Sequence, residues 1–236
     1  MIKRINCWSG PRNISTALMY SFRERHDTTV VDEPLYAHYL RVTGRDHPGR
    51  DQVLNAQNPD GEAVVRDVLL GSYDSPVVFF KQMAHHLVEL NEDFLAATTN
   101  ILLTRDPRDM LPSLAVQLPD ATLADTGLEN QVRLLHSILE HGKQPVVIDS
   151  GVLLEDPESS LNSLCERVGI EPNKQMLSWA TGPKPEDGVW ARFWYQNVHG
   201  STGFDRRLPS SRSVPSDLVS VLDEAIGLFD QLIEFA

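Results

Sequence analysis

Five short apolar runs, each giving way to a polar loop, restrict this chain to few folds. They are Ile2–Trp8, Thr28–Val31, Val77–Phe80, Asn100–Thr104 and Pro145–Ile148. Runs without polar alternation predict parallel strands buried on both faces. Helical patterns fall between them. Ile14, Leu18 and Phe22 recur at helical spacing. Thr126-x-x-Glu129 reads as a capping box opening a helix to about His141. Asp156-Pro157 reads as an N-cap with proline in the first turn, and Leu161, Leu164, Cys165 and Val168 then line one face up to Gly169. A last helix is predicted from about Ser216 to Phe235. The alternation predicts an α/β fold of three layers, with a central parallel sheet of about five strands flanked by helices. Two stretches are predicted to be irregular. Arg41 to Asp60 is rich in Gly, Pro, Asp and Asn. Trp179 to Ser213 holds three of the four tryptophans, and reads either as a wrap whose aromatics fill core or as the wall or lid of a site.

Charge narrows the partners. With 21 Lys and Arg against 33 Asp and Glu, the formal charge is −12, which argues against nucleic acid or an anionic membrane surface. A chain of 236 residues suffices for one α/β domain or two small ones. No apolar run approaches the ~20 residues that span a bilayer, and Met1 to Asn6 carry no signal-peptide core. Cys7 and Cys165 show neither a disulfide framework nor metal-ligand spacing. A cytoplasmic protein without a metal is the expectation.

Three loops carry candidate chemistry. Ser9 to Thr16 follows the first predicted strand and runs into a helix, where free backbone N–H groups and the helix dipole suit a phosphate. It offers Arg12, Ser15 and Thr16, but it is not a Walker A sequence: Ser15 stands in the lysine's place and Ile14 in a glycine's. The plainer reading is an ordinary polar turn. Arg105 leaves the fourth strand and Ser113 lies eight residues on, about two helical turns if a helix begins near Pro107. A guanidinium and a hydroxyl could so converge on one phosphate; alternatively, Asp106 simply caps a helix while Arg108 and Asp109 are solvated. Gly200-Ser201-Thr202-Gly203-Phe204-Asp205-Arg206 pairs glycines that permit close backbone approach with a following cation.

In order and spacing, these three segments together resemble the sulfotransferases that use 3′-phosphoadenosine 5′-phosphosulfate (PAPS), which have a P-loop-type fold. The resemblance spans Cys7 to Arg207 and implies a single sulfotransferase-like domain, with residues 41–60 and 179–213 on the acceptor side. It implies that Pro11-Arg12-Asn13-Ile14-Ser15-Thr16 binds the 5′-phosphosulfate, that Arg105 and Ser113 bind the 3′-phosphate, and that Gly200, Gly203 and Arg206 close over that phosphate. Leu154-Glu155-Asp156-Pro157 is similar to a family stretch before a late helix. Ile14 replaces a family glycine, and Ala17 stands where many members have a tryptophan that stacks on adenine. The loop variant from Trp8 to Thr16 is similar to a branch in which some members carry aminotransferase-like names, although nothing in the chain looks like a pyridoxal-phosphate enzyme.

Sulfuryl transfer to a hydroxyl or amine needs a base, positive charge on the leaving oxygen and in-line placement. The resemblance offers two bases. Asp32-Glu33-Pro34-Leu35 is similar to bacterial and carbohydrate sulfotransferases in which the Glu is the proposed base, which points to Glu33. Lys81-x-x-x-His85-His86 is similar to the Lys-x-His of cytosolic sulfotransferases, with His85 or His86 as base and Lys81 assisting the leaving group beside Arg12. The rival readings are an ATP- and magnesium-dependent phosphotransferase, with Asp149 at a strand end, and a non-catalytic nucleotide-binding protein. The acceptor is expected to be a small molecule; neither its identity nor the oligomeric state is written in the sequence.

Overall fold

The computed structural model describes residues 2–116, 118–205 and 213–236. Each predicted strand is present: β1 (Lys3–Ser9), β2 (Thr28–Asp32), β3 (Val77–Met83), β4 (Thr99–Thr104) and β5 (Val146–Asp149). All pairings are parallel, in the order β2-β3-β1-β4-β5. The helices are α1 (Ser15–Arg23), α2 (Tyr36–Thr43), α3 (Arg50–Ala56), α4 (Gly61–Val64), α5 (Pro107–Leu114), α6 (Leu123–Thr126), α7 (Leu128–Glu140), α8 (Ser150–Glu155), α9 (Pro157–Val168), α10 (Ala191–Trp194), α11 (Gln196–His199) and α12 (Val219–Ile233). No helix among the described residues is long and apolar enough to cross a membrane.

The alternation of strand side chains builds a core on each face of the sheet. Trp8, Val78, Phe80, Leu102 and Val147 point one way and pack with residues of α5, α7 and α12. Ile5, Cys7, Phe79, Ile101 and Leu103 point the other way, against Leu18, Met19 and Phe22 of α1 and the apolar face of α9. The unbroken apolar runs in the sequence are therefore two half-runs, one for each layer. A third cluster, Tyr36, Tyr39, Leu40, Val53, Trp190 and Tyr195, joins α2 and α3 to the late irregular segment. Central β1 has β3 and β4 on either side, so the loop after it opens into the crevice where α/β sheets bind ligands.

Helix ends follow local chemistry, with two corrections. As predicted, Asp156 caps α9 by accepting from Ser159 N–H at 3.1 Å, and Gly169 ends that helix with φ 74°. The capping box, however, sits one turn before the predicted Thr126/Glu129 pair. Asp125 accepts from Thr122 N–H at 2.8 Å, while the Thr126 hydroxyl donates to Leu123 O at 2.6 Å and accepts from Leu128 N–H at 3.2 Å. Gly127, at φ 73°, separates α6 from α7. Nor is the stretch from Arg41 to Asp60 irregular throughout, since it contains the end of α2 and all of α3. Its Gly44 and Gly49, at φ 66° and 78°, mark the end of one helix and the start of the next. The last helix begins with a 3₁₀ turn, Ser216–Leu218, before α12.

Candidate active site

At the C-terminal ends of the strands lies a cavity of about 810 Å³. One part is lined by the loop after β1, with Arg105, Ser113, Gly203 and Phe204; another by Glu33, Tyr36, Tyr39, His85, His86 and Trp194.

The first part converges on Arg12, which takes the left-handed φ of 58°. Arg12 Nε donates to Ser113 Oγ at 3.0 Å, and Arg105 Nη1 donates to Arg12 O at 3.1 Å. Asn13 Nδ2 ties the loop to Leu103 O at 2.8 Å. Residues about a hundred positions apart are thus held as one unit. Asp106 caps α5, accepting from Arg108 N–H at 2.8 Å, as the plainer reading of that segment has it. Ile14, the N-cap of α1, makes no side-chain cap, and the first turn begins at Ser15 and Thr16. Ile14 has φ −87°, a conformation any residue adopts, so the backbone there needs no glycine.

Gly10 is required for a different reason. A Cβ there would stand 2.7 Å from Thr126 O, and Gly127 in turn lies against Gly10 and Pro11. The α6–α7 junction therefore buttresses the loop by direct backbone approach. Gly10→Ala is expected to destabilise the fold by about 1–3 kcal/mol, whereas Gly200→Ala, whose Cβ would meet only ordinary contacts, is expected to be near neutral. Thermal unfolding of both variants checks this; equal midpoints would refute the buttress.

The late loop is only partly at the cavity. Gly203 lines it and bridges to Ser178, with Leu177 O 2.8 Å from where a Cβ would lie. Gly200 ends α11 at an unremarkable φ of −84°. Arg206 lies outside the described residues. Trp179, Trp190 and Tyr195 are buried, while Trp194 lines the cavity, so the segment both fills core and walls the site.

Around Glu33 is a dense polar cluster. Asp32 ends β2 in register with Lys81 of β3. Glu33 has φ 40°, which breaks the strand and turns its carboxylate onto the same ammonium as Asp32's. Lys81 Nζ donates to Asp32 Oδ1 at 3.1 Å, to Glu33 Oε1, and to Tyr195 OH at 2.6 Å. Its three hydrogens are thereby directed into the protein, with Lys81 only 2% exposed. Burial pushes the Glu33 carboxyl up; Lys81 opposes this and the Asp32 charge adds to it, leaving the net shift upward. Burial alone would depress the Lys81 ammonium, but the two carboxylates outweigh it and raise it.

The histidines sit in a ring stack. His86 stacks on Tyr36 and Tyr39 with centroids 4.6 and 4.7 Å apart, and His85 meets Tyr39 edge-on. His86 Nδ1 is buried without a hydrogen bond and stands 3.8 Å from Glu33 Oε2. Burial, followed by the nearby His47 and Arg45, lowers His85 to about 4, and burial with His85 and Lys81 lowers His86 well below the ordinary imidazole value. Asp149 accepts from Gly151 N–H at 2.7 Å and caps α8.

Sequence reasoning missed Asp32 and Tyr195. The register of β2 on β3 would locate Asp32, but nothing in the local sequence around Tyr195 marks it.

Comparison with known proteins agrees with this architecture. The chain is 40% identical over 229 residues to branched-chain-amino-acid aminotransferase-like protein 1 of Arabidopsis thaliana, covering 97% of this chain and 41% of that protein. It is 36% identical to protein 2 of the same name, with the same coverage. The chain thus spans about two-fifths of the length of these curated relatives. In structure it is similar to the sulfotransferase domain of the Synechococcus PCC 7002 olefin synthase, with TM-score 0.58 and 15% identity over 98% of this chain and 96% of that one. It is also similar to the sulfotransferase domain from the curacin biosynthetic pathway, with TM-score 0.52 and 14% identity over 95% and 97%. These structural likenesses are of fold. Residues 3–230 match the sulfotransferase domain family, and the chain belongs to that family.

Proposed function

We propose that the chain transfers a sulfuryl group from PAPS to a hydroxyl or amine of a small molecule. The observation that carries this reading is the unit formed by Arg12, Ser113 and Arg105 beside the uncapped start of α1. It gathers two guanidinium groups, a hydroxyl and a helix N-terminus at one end of a cavity whose size suits small ligands. These groups fit a nucleotide with two separate anionic groups.

When bound, the donor supplies an activated sulfuryl group on a phosphate leaving group. The first-turn N–H groups of α1, with Arg12, Ser15 and Thr16, hold the phosphosulfate end and stabilise charge on the departing phosphate. Arg105 and Ser113 hold the 3′-phosphate, and Gly203 lines the same region. Glu33 takes the acceptor's proton as the new S–O or S–N bond forms and the S–O bond to phosphate breaks. Its raised affinity for a proton suits that role, whereas His85 and His86, held neutral and weakly basic, suit the acceptor wall. Lys81 orients the carboxylates, and the leaving group relies on Arg12. Ala17 and Phe204 offer apolar surface for the base. The net charge of −12 disfavours nucleic acid as the acceptor.

Calorimetry tests the reading. Adenosine 3′,5′-bisphosphate is expected to bind without metal, and more tightly than ADP with or without magnesium. Binding of only the magnesium nucleotide would overturn the proposal in favour of a phosphotransferase.

A further inference from the structure

We propose that Asp32 and Tyr195 are positioning residues that make Glu33 the base, by holding Lys81 as a cation shared between two buried carboxylates. This rests on the reading of Glu33 given above and adds the cause of its basicity.

The geometry carries the argument. Asp32 is the better-satisfied carboxylate: it accepts from Lys81 Nζ at 3.1 Å, from Tyr195 OH at 2.8 and 2.9 Å, and from Gly188 N–H at 3.1 Å. Tyr195 also accepts from Lys81 and from Trp190 Nε1 at 3.1 Å, so its single proton is free to go to Asp32. Both oxygens of Asp32 and all three hydrogens of Lys81 are therefore used, in a cluster where Lys81, Asp32 and Glu33 are 2, 4 and 7% exposed.

Charge then decides which group takes a proton. One ammonium against two carboxylates leaves a net charge of −1 in a water-poor site. Proton transfer from the acceptor to Glu33 brings the cluster to neutrality, with Asp32 and Lys81 remaining as the ion pair. A buried cluster favours the state with the lower net charge. Glu33 faces Asp32 at the end of β2, Lys81 on β3, His86 beyond β3, Tyr36 on α2 and Tyr195 beyond α10. Of these, only Asp32 adds negative charge at neutral pH, and Lys81 is the one cation. The left-handed turn at Glu33 serves this arrangement, because consecutive strand residues would otherwise point to opposite faces.

The test is a ¹³C-carboxyl NMR titration of the whole chain labelled at glutamate, with the Glu33 signal assigned by its loss in Glu33→Gln. The unsubstituted protein should titrate at Glu33 above the ordinary glutamate value of about 4.3. Asp32→Asn should lower that midpoint by about one pH unit or more. Tyr195→Phe, which leaves both charges in place but removes a hydroxyl that bonds both Lys81 and the Glu33 carboxylate, should shift it by less. If Asp32→Asn does not fold, Tyr195→Phe decides alone. An unchanged Glu33 midpoint in a folded variant overturns the proposal. Adenosine 3′,5′-bisphosphate binding by the same proteins is the separate arm: it should be unaffected by either substitution, and its absence in the unsubstituted protein would defeat the donor assignment without touching the titration result.

Discussion

Lys81→Met is expected to destabilise the fold at pH 7 by about 3–5 kcal/mol, the range for removing one partner from a buried ion pair. The methionine fills most of the alkyl stem's space, so the loss is chiefly electrostatic: Asp32 and Glu33 would face each other without a cation. The Glu33 carboxyl, already pushed up by burial, would then lose the cation that opposes that shift and rise further. Groups shifted in that direction contribute stability that is present below the unfolded pKa and lost as pH rises through the folded one. The deficit should therefore be largest at neutral pH and shrink as pH falls toward about 4, near the unfolded carboxylate values. Urea unfolding at pH 7 and pH 4.5, each compared with the unsubstituted protein, measures it. A deficit equal at both would mean that lost packing rather than charge accounts for the change.

The second large effect is on binding. Arg105→Ala is expected to weaken adenosine 3′,5′-bisphosphate by about 30- to 150-fold, equivalent to 2–3 kcal/mol of charge-assisted hydrogen bonding. Part of this is direct charge, and part is loss of the brace from Arg105 Nη1 to Arg12 O. Arg105→Lys separates the two, since it keeps a cation but lacks the planar fork. ADP, which has no 3′-phosphate, supplies the control: its weaker binding should change far less. Equal losses for both ligands in calorimetry would mean that Arg105 only supports the loop.

Much of this architecture is legible in the residues because the physics is local. An apolar run buried on both faces needs no distant information to be read as a parallel strand, and Asp156-Pro157 announces a helix start by itself. The Arg105/Ser113 spacing follows from the fixed length of two helical turns, but it does not show that Arg12 lies between them. Elsewhere, adjacent signals competed. Thr122-x-x-Asp125 and Thr126-x-x-Glu129 are consecutive cap patterns, of which the first closes, with the left-handed Gly127 following it. Gly44 and Gly49 look like markers of an irregular stretch, yet the first ends one helix and the second starts the next. The cluster at Glu33 was half visible. Glu33 and Lys81 came from a resemblance, whereas Tyr195 enters from 114 residues beyond Lys81 and no periodicity or motif announces it. A late segment with three tryptophans could be read as core or as wall; only the tertiary arrangement divides it residue by residue.

The left-handed backbone at Glu33 sets two selective pressures against each other. A non-glycine residue in that region costs about 1–2 kcal/mol, and asparagine or glycine would bear it more easily. Replacement by either would also leave Lys81 and Asp32 as a neutral pair. Robustness alone therefore disfavours glutamate at position 33, whereas the proposed role of Glu33 as base requires it. On the proposed reading of Glu33 as the base, the same position is where stabilising the protein by design would most directly extinguish its activity.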